Sequence, residues 1–97
     1  MRIIKVKTLK EFWQNHKETE EQLLAWVAFV KKAEWRKPQD VKNQFAKASI
    51  INSNRVVFDI CGDNYRLVVK INYDHQIVYI RFLGTHKEYD KINAGTI

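Results

Sequence analysis

One histidine and three cations in the second half of the chain have the side chains that cleavage of a phosphodiester requires. They are His86, Arg66, Lys70 and Arg81. Cleaving RNA without a metal ion needs a base for the 2′-hydroxyl proton, cations that stabilise the anionic phosphorane, and an acid that protonates the leaving 5′-oxygen. Histidine exchanges protons near neutral pH, Arg contacts phosphate through two parallel hydrogen bonds, and Lys contributes a point charge. These four residues therefore predict proton transfer on a phosphate, if the fold brings them together.

An alternation of apolar and polar residues predicts the strands that would hold this set. The apolar positions recur at every second residue in three runs: Val56, Phe58 and Ile60; Tyr65, Leu67, Val69 and Ile71; and Val78, Ile80 and Phe82. Turn-forming residues 62–64 and 73–76 separate the runs. The pattern predicts an antiparallel meander with one buried face.

The register of the last two strands follows from their apolar residues. If Asp74 and His75 form the loop, the opposed apolar pairs are Ile71 with Val78, Val69 with Ile80, and Leu67 with Phe82. On the other face, Lys70 then lies opposite Tyr79 and Arg81 opposite Val68, with Arg66 one pair further along. The exposed face of the sheet is therefore expected to be basic.

The last strand runs into a sequence that predicts a short helix. Thr85 and Glu88 have the spacing of a capping box, in which each residue bonds the backbone of the other. His86 would occupy the first turn, with Tyr89 and Asp90 three and four residues further on the same side. We expect the histidine ring to lie over the basic face.

The N-terminal half has the pattern of a short strand and helices. Residues 3–6 are rich in β-branched side chains, and Thr8–Glu11 and Thr19–Gln22 have capping-box spacing. Residues 23–30 have the apolar stripe of an amphipathic helix, which should end before Pro38. Residues 38–46 could add one or two turns with Val41 and Phe45 inward. The sequence predicts an α+β fold in which an N-terminal strand and two helices pack on one face of an antiparallel sheet, followed by a short C-terminal helix.

Length, charge and composition limit the function classes. Ninety-seven residues fit a single domain spanning residues 1–97, and a net charge of +6 favours polyanionic partners. No apolar run approaches the roughly 20 residues that a membrane-spanning helix needs, and the lysine-interrupted start is unlike a signal peptide. Cys61 has no cysteine to pair with, which favours a reducing compartment such as the cytoplasm. Three histidines and one cysteine without ligand spacing give no support to a metal site, and no cofactor is expected.

The sheet and the terminal segment together resemble a known family. The residues that carry the resemblance are the stretch Arg55–Tyr73, the triplet Tyr79-Ile80-Arg81 and the motif Thr85-His86-Lys87-Glu88-Tyr89-Asp90, with Trp35–Phe45 as the helix-to-sheet connection. They resemble the HigB toxins of bacterial toxin–antitoxin pairs. The resemblance implies a RelE-like fold, metal-independent cleavage of translated mRNA in the ribosomal A site, and silencing by a helix-turn-helix antitoxin, HigA.

The resemblance also implies which residues act. The positions that match the family are Arg66, Lys70, Arg81, His86 and Tyr89, and they are the candidate catalytic residues. We further expect RNA contacts from Arg55, Lys70, Tyr79 and Lys87. The division of acid and base roles among His86, Lys70 and Tyr89 stays open.

Each candidate also has an ordinary structural explanation. Cations that alternate with Val on a strand are usually a solvated face. Arg66 could pair with Asp59 across the strands, His86 could bond locally at the helix start, and Tyr89 could cover the edge of the core. The alternative functions are a non-catalytic RNA- or DNA-binding module and an inactive toxin relative that acts through the basic face. A binding module would need aromatic side chains for base stacking, and that face offers only Tyr79.

Overall fold

The computed structural model describes all 97 residues and has an α+β architecture built on a mixed five-stranded sheet. The strands are β1 (Arg2–Ile4), β2 (Ser49–Ile50), β3 (Arg55–Ile60), β4 (Tyr65–Asn72) and β5 (Ile77–Thr85), in the spatial order β1-β5-β4-β3-β2. The predicted meander forms β3, β4 and β5, which pair antiparallel. The N-terminal strand β1 pairs parallel with β5, a connection that leaves room for the helices between them.

Four α-helices accompany the sheet: α1 (Val6–Asn15), α2 (Glu20–Lys32), α3 (Pro38–Gln44) and α4 (His86–Tyr89), with a 3₁₀ turn at Lys17–Thr19. The main core lies between the first three helices and one face of the sheet, called the helix side below. Its largest fully buried side chains are Trp35, Leu9, Leu23, Ile60, Leu67 and Ile71. None of the helices has the length and apolar content that a membrane crossing requires.

The capping boxes predicted for the first two helices are absent and the one predicted for α4 is present, although α2 does begin directly after Thr19 as predicted. Helix α1 begins at Val6 because the chain reverses directly after β1 through Lys5, whose φ of 73° is left-handed, so Thr8 already lies inside the first turn. The hydroxyl of Thr19 donates to the carbonyl of His16 at 2.7 Å and caps nothing. At α4, the predicted capping box of Thr85 and Glu88 is present.

A β-bulge at Arg81 changes the register predicted for β5. Val69 lies opposite Ile80 as expected, but Val68 lies opposite Phe82, so β5 has one residue more than β4 between these pairs. Side chains beyond a bulge face the opposite way from regular alternation. The predicted pairs of Leu67 with Phe82 and of Arg81 with Val68 were therefore wrong. Leu83 replaces Phe82 on the helix side, against the main core.

The second face of the sheet is partly covered, contrary to the expectation of an open basic face. Val57, Val68 and Phe82 lie opposite one another across three strands, and Ala94 is buried against them. The side chains that complete this apolar cluster come from α4 and the residues after it: Tyr89, Ile92 and Ile97. We call this face the tail side. The runs Val56–Phe58 and Leu67–Val69 are apolar without alternation, which is the signal of strands buried on both faces.

Candidate active site

Two of the predicted cations lie on β4 and β5 without a carboxylate partner. Lys70 is half-buried and lies opposite Tyr79, as predicted, while Arg81 is exposed at the bulge two residues further along β5. Neither takes part in an ion pair. A bulge redirects a side chain away from the regular pleat, and here the redirected group is a free guanidinium. These two cations can therefore receive a phosphate without first giving up another partner.

Arg66, by contrast, is already bound by two carboxylates. Its Nε lies 3.3 Å from Oδ1 of Asp59, its cross-strand neighbour, and its Nη2 lies 3.3 Å from Oδ1 of Asp63. A further hydrogen bond of 3.1 Å runs from Nη1 to the carbonyl oxygen of Asp63, and 13% of the side chain is exposed. The alternative pairing of Arg66 with Asp59 is thus present in the structure, and it ties the turn after β3 to the strand.

His86 is the first residue of α4 and faces a carboxylate. Its Nδ1 lies 3.5 Å from Oδ2 of Asp90, one helical turn later, and about half of the side chain is exposed. Its backbone N–H donates to the carbonyl oxygen of Asn64, in the turn that Arg66 holds, at 3.3 Å. Because the carboxylate faces Nδ1, a proton on that nitrogen would leave Nε2 as the proton-accepting nitrogen of the neutral ring.

The capping box fixes the backbone that carries His86. The Thr85 N–H donates to Oε1 of Glu88 at 2.8 Å, and the Glu88 N–H donates to Oγ1 of Thr85 at 3.2 Å. The hydrogen bond from the Thr85 backbone lowers the pKa of the Glu88 carboxyl below its usual value. Gly84 leaves the space for this contact, because a Cβ there would lie 2.9 Å from Glu88 Oε1 and 2.8 Å from the Phe82 ring.

The other two candidate residues of α4, Tyr89 and Lys87, differ from each other in burial. The ring of Tyr89 is half-buried in the tail-side apolar cluster, so its predicted alternative role in covering the core is part of the structure. Lys87 is exposed and free of ion pairs. Lys87 thus has the accessibility that a contact with an RNA backbone requires.

Arg55, one of the predicted RNA contacts, is largely buried. Only 8% of the residue is exposed. Its Nε donates to the main-chain oxygen of Ile97 at 3.0 Å and its Nη1 donates to Oδ1 of Asn54 at 2.9 Å. These bonds hold the tail side closed next to Lys70, which lies opposite Arg55 in the sheet. The side chain has little surface left for RNA.

The tail-side apolar cluster divides the candidate residues into two groups. Arg66 and Lys70 point to the same face of β4, about 13 Å apart along the strand, with Val68 between them. Lys70, Tyr79 and Arg81 lie on one side of Val68, and Arg66 lies with the start of α4 on the other. The arrangement offers free cations at one end and a histidine–carboxylate pair at the other, so action of both groups on one phosphate requires the long side chains of Lys70 and Arg81 to extend past Val68 toward His86.

His16, the residue that follows α1, is half-buried. His16 stacks on Phe12 with ring centroids 4.1 Å apart and meets the edge of Tyr65 at 5.3 Å. The Tyr65 hydroxyl donates to Oε1 of Glu18 at 3.0 Å, and this bond raises the pKa of the tyrosine. Since Tyr65 pairs with Thr85, this aromatic cluster supports the strand end that leads into α4. The spacing of Phe12 and His16, four residues apart on a helix, was the available signal.

No group of three or more His, Cys, Asp or Glu residues is placed to hold a metal ion. The donor set around His86 consists of one ring and the carboxylate of Asp90, fewer ligands than a protein metal site ordinarily provides.

Comparison with known proteins places these residues in a family. A family model described as HigB_toxin, the RelE-like toxic component of a toxin–antitoxin system, matches residues 19–92, which include β2–β5 and α4. The chain is 29% identical over 96 residues to the mRNA interferase toxin HigB of Escherichia coli strain K12, covering 97% of this chain and 92% of that protein. The mRNA interferases HigB of Escherichia coli O157:H7 and Shigella flexneri match at the same identity and coverage. The chain therefore belongs to the HigB family of RelE-like toxins, the toxic components of toxin–antitoxin systems.

Proposed function

We propose that this toxin is an mRNA interferase, an endoribonuclease that cleaves translated mRNA in the ribosomal A site of the bacterial cytoplasm without a metal ion. The observation that carries the proposal is the His86–Asp90 pair at the start of α4, on the same sheet as the unpaired cations Lys70 and Arg81. The names of the curated relatives, mRNA interferases at 29% identity over almost the whole chain, support the same activity.

In the proposed mechanism, His86 transfers the proton. The Asp90 carboxylate faces Nδ1 and stabilises the imidazolium that forms when Nε2 takes the proton of the 2′-hydroxyl. The 2′-oxygen attacks the phosphorus, a cyclic phosphate forms, and the 5′-oxygen leaves with a proton. Arg81 and Lys70 stabilise the negative charge on the phosphate oxygens during this step. Tyr89 and Lys70 are the candidates for the acid that protonates the 5′-oxygen.

Arg66 acts in this scheme through the turn that it holds. The contacts from Arg66 to Asp63 fix residues 61–64, and the carbonyl of Asn64 in that turn accepts the backbone N–H of His86. Arg66 is therefore proposed as a positioning residue. Tyr79 and Lys87 are proposed to contact the RNA strand on either side of the cleaved bond.

The ribosome supplies what so small a site lacks. A flexible RNA chain loses orientational freedom when it is bound, and few groups on a 97-residue toxin can hold it. A message already ordered in the A site meets the toxin in a fixed conformation. We propose a HigA-like helix-turn-helix protein as the antitoxin that silences the toxin.

The test is cleavage of one message, free and on stalled ribosomes, by the unmodified toxin and by His86→Gln. We expect fast cleavage on ribosomes only, and a decrease of about 10²-fold or more for His86→Gln, since a positioned proton-transfer group contributes about this much. His75→Gln is the matched control, because His75 lies exposed in the β4–β5 loop.

Three results would contradict the proposal. Equal cleavage of free and ribosome-bound RNA would remove the ribosome from the mechanism. Full activity of His86→Gln would remove the histidine and shift the proton transfer to Lys70 or Tyr89. Binding of RNA without any cleavage would favour the non-catalytic alternative.

A further inference from the structure

Helix α2 is apolar on the face that points away from the core. Its buried residues are Leu23, Trp26, Val27 and Val30, yet the outward positions in its middle are Leu24, Ala25, Ala28 and Phe29, all exposed, and charged residues stand on this face only at its two ends. Leu24 is 47% exposed and Phe29 is 44% exposed. A helix that packs one face on a core normally carries polar residues on the other, and a helix that is apolar all round is covered on all sides. The outward face of α2 therefore lacks a cover.

A groove adjoins this face. It lies between α2 and β3, has a volume of about 420 Å³, and is lined chiefly by apolar side chains, among them Ala25, Trp26, Phe29, Phe45, Phe58 and Ile60. Phe29 and Phe45 meet edge to face at 5.0 Å at its mouth. The indole N–H of Trp26 is buried without a hydrogen-bond partner. We call this surface, together with the outward face of α2, the α2 groove.

The edge of β3 beside the α2 groove is already capped by a side chain. Strand β2 pairs only with Val56 and Val57, which leaves the β3 edge from Phe58 onward without a strand partner. The Gln22 amide bonds two of the groups there, donating to the Asp59 carbonyl at 3.4 Å and accepting the Cys61 N–H at 2.8 Å. An added strand would have to displace Gln22. A helix that inserts side chains into the groove would not, and Ala25 and Ala28 allow its axis to approach closely.

The charges around the α2 groove favour an acidic partner. The only charged residues that line it are Lys47 and Asp59. The Asp59 carboxylate contacts Arg66, whereas Lys47 is exposed and has no ion pair. Lys32 follows Phe29 by three residues, on the same side of α2, and is likewise exposed and unpaired. The surface thus combines an apolar centre with the free cations Lys47 and Lys32 on the side of the C-terminal end of α2 and the carboxylate of Glu21 at the N-terminal end, within a chain of net charge +6.

We infer that the α2 groove is the docking site of the antitoxin, which would place an amphipathic helix along α2. The partner helix would present apolar side chains three and four residues apart to Leu24, Phe29 and the groove, and acidic side chains to Lys47 and Lys32. The inference rests on the proposed function, because a toxin of this family has an antitoxin partner. The inferred docking surface is separate from the tail side of the sheet, where the candidate catalytic residues lie.

The experiment measures binding and neutralisation separately from RNA cleavage. The variants are Ala28→Arg, which adds a bulky cation to the exposed face without removing any packing, Phe29→Lys and Lys47→Glu. The control is Gln14→Arg, an equally exposed position on α1. The probe is the purified antitoxin encoded with this toxin, titrated against each variant, alongside rescue of growth when toxin and antitoxin are expressed together.

We expect each groove variant to bind the antitoxin about tenfold more weakly or worse, while Gln14→Arg binds normally. The groove variants should still cleave RNA and arrest growth, and the antitoxin should no longer rescue the cells. Unchanged affinity for Ala28→Arg and Lys47→Glu would overturn the inference. Dimers of the toxin that Ala28→Arg dissociates would also overturn the inference, because a second copy of the chain would then cover the outward face of α2. If the toxin does not cleave RNA, its affinity for the antitoxin can still be measured. Failure of the proposed function is therefore distinguishable from failure of this inference.

Discussion

Arg66 and Arg81 lie on neighbouring strands and have the same side chain, yet their surroundings differ completely. Arg66 is 13% exposed and contacts the carboxylates of Asp59 and Asp63, whereas Arg81 is exposed at a bulge and contacts none. A guanidinium that is already paired must give up those partners before it can bind a phosphate, and an unpaired one need not. Two arginines that appear equivalent in the sequence are thus suited to different tasks, Arg66 to organising a turn and Arg81 to contacting substrate.

The largest effect is expected from the unpaired cation. Arg81→Ala should lower the rate of ribosome-bound RNA cleavage by about 10²–10³-fold, since it removes a preorganised positive charge from the phosphate. The melting temperature should stay unchanged, because the side chain is exposed and has no partner in the fold. Cleavage rate and thermal unfolding are measured on the same preparation. Arg2→Ala, an exposed arginine on β1, is the control. Unfolding of Arg81→Ala would show that the bulge depends on the side chain.

Replacement of Arg66 is expected to have a smaller effect on cleavage and an additional effect on stability. Arg66→Ala leaves the partly and largely solvated carboxylates of Asp59 and Asp63 without their cation and should destabilise the fold by about 1 kcal/mol or less while slowing cleavage. Asp63→Ala sharpens the comparison, because it frees one side of Arg66. If Arg66 acts through the turn, Asp63→Ala should also slow cleavage. Faster cleavage by Asp63→Ala would show instead that Arg66 binds the phosphate directly and that Asp63 competes with it.

The smallest effect concerns the pH dependence of the helix start that carries His86. Because the pKa of Glu88 is lowered in the folded chain, its ionised carboxylate stabilises the capping box above the unfolded pKa of about 4.3. This stabilisation is lost as the pH falls through the lower folded value. The Thr85 amide resonance should therefore shift on acidification with a midpoint below that of a free glutamate. Glu88→Gln should abolish the shift, and a midpoint at or above 4.3 would contradict the assigned hydrogen bond.

The sequence predicted the element order and much of the register, because alternation and turns are local signals. The pairs Ile71–Val78, Val69–Ile80 and Lys70–Tyr79 are all present, as is the Thr85–Glu88 cap. The bulge was missed because nothing in the residues around Arg81 breaks the alternation. The helix start at Val6 depends on the left-handed Lys5, a backbone state that residue type does not specify.

The division of the candidate site could not be predicted, because it depends on tertiary contacts. The covering of Val57 and Val68 by residues after α4 joins segments more than 20 residues apart. The burial of Arg55 depends on the same segment, through its bond to Ile97. The burial of these residues depends on which distant segment of the chain packs against them. The periodicity of a strand does not predict that segment.

The bulge at Arg81 also affects how relatives of this chain should be aligned. Residues 77–80 and 82–85 follow the same alternation with opposite phase, so that Ile80 and Leu83 share the helix side although they are three residues apart. A relative with a regular β5 would need one residue fewer at this place to keep both halves in register. A one-residue gap beside Arg81 is then a true insertion point in the protein, and alignments that close it would compare buried residues with exposed ones.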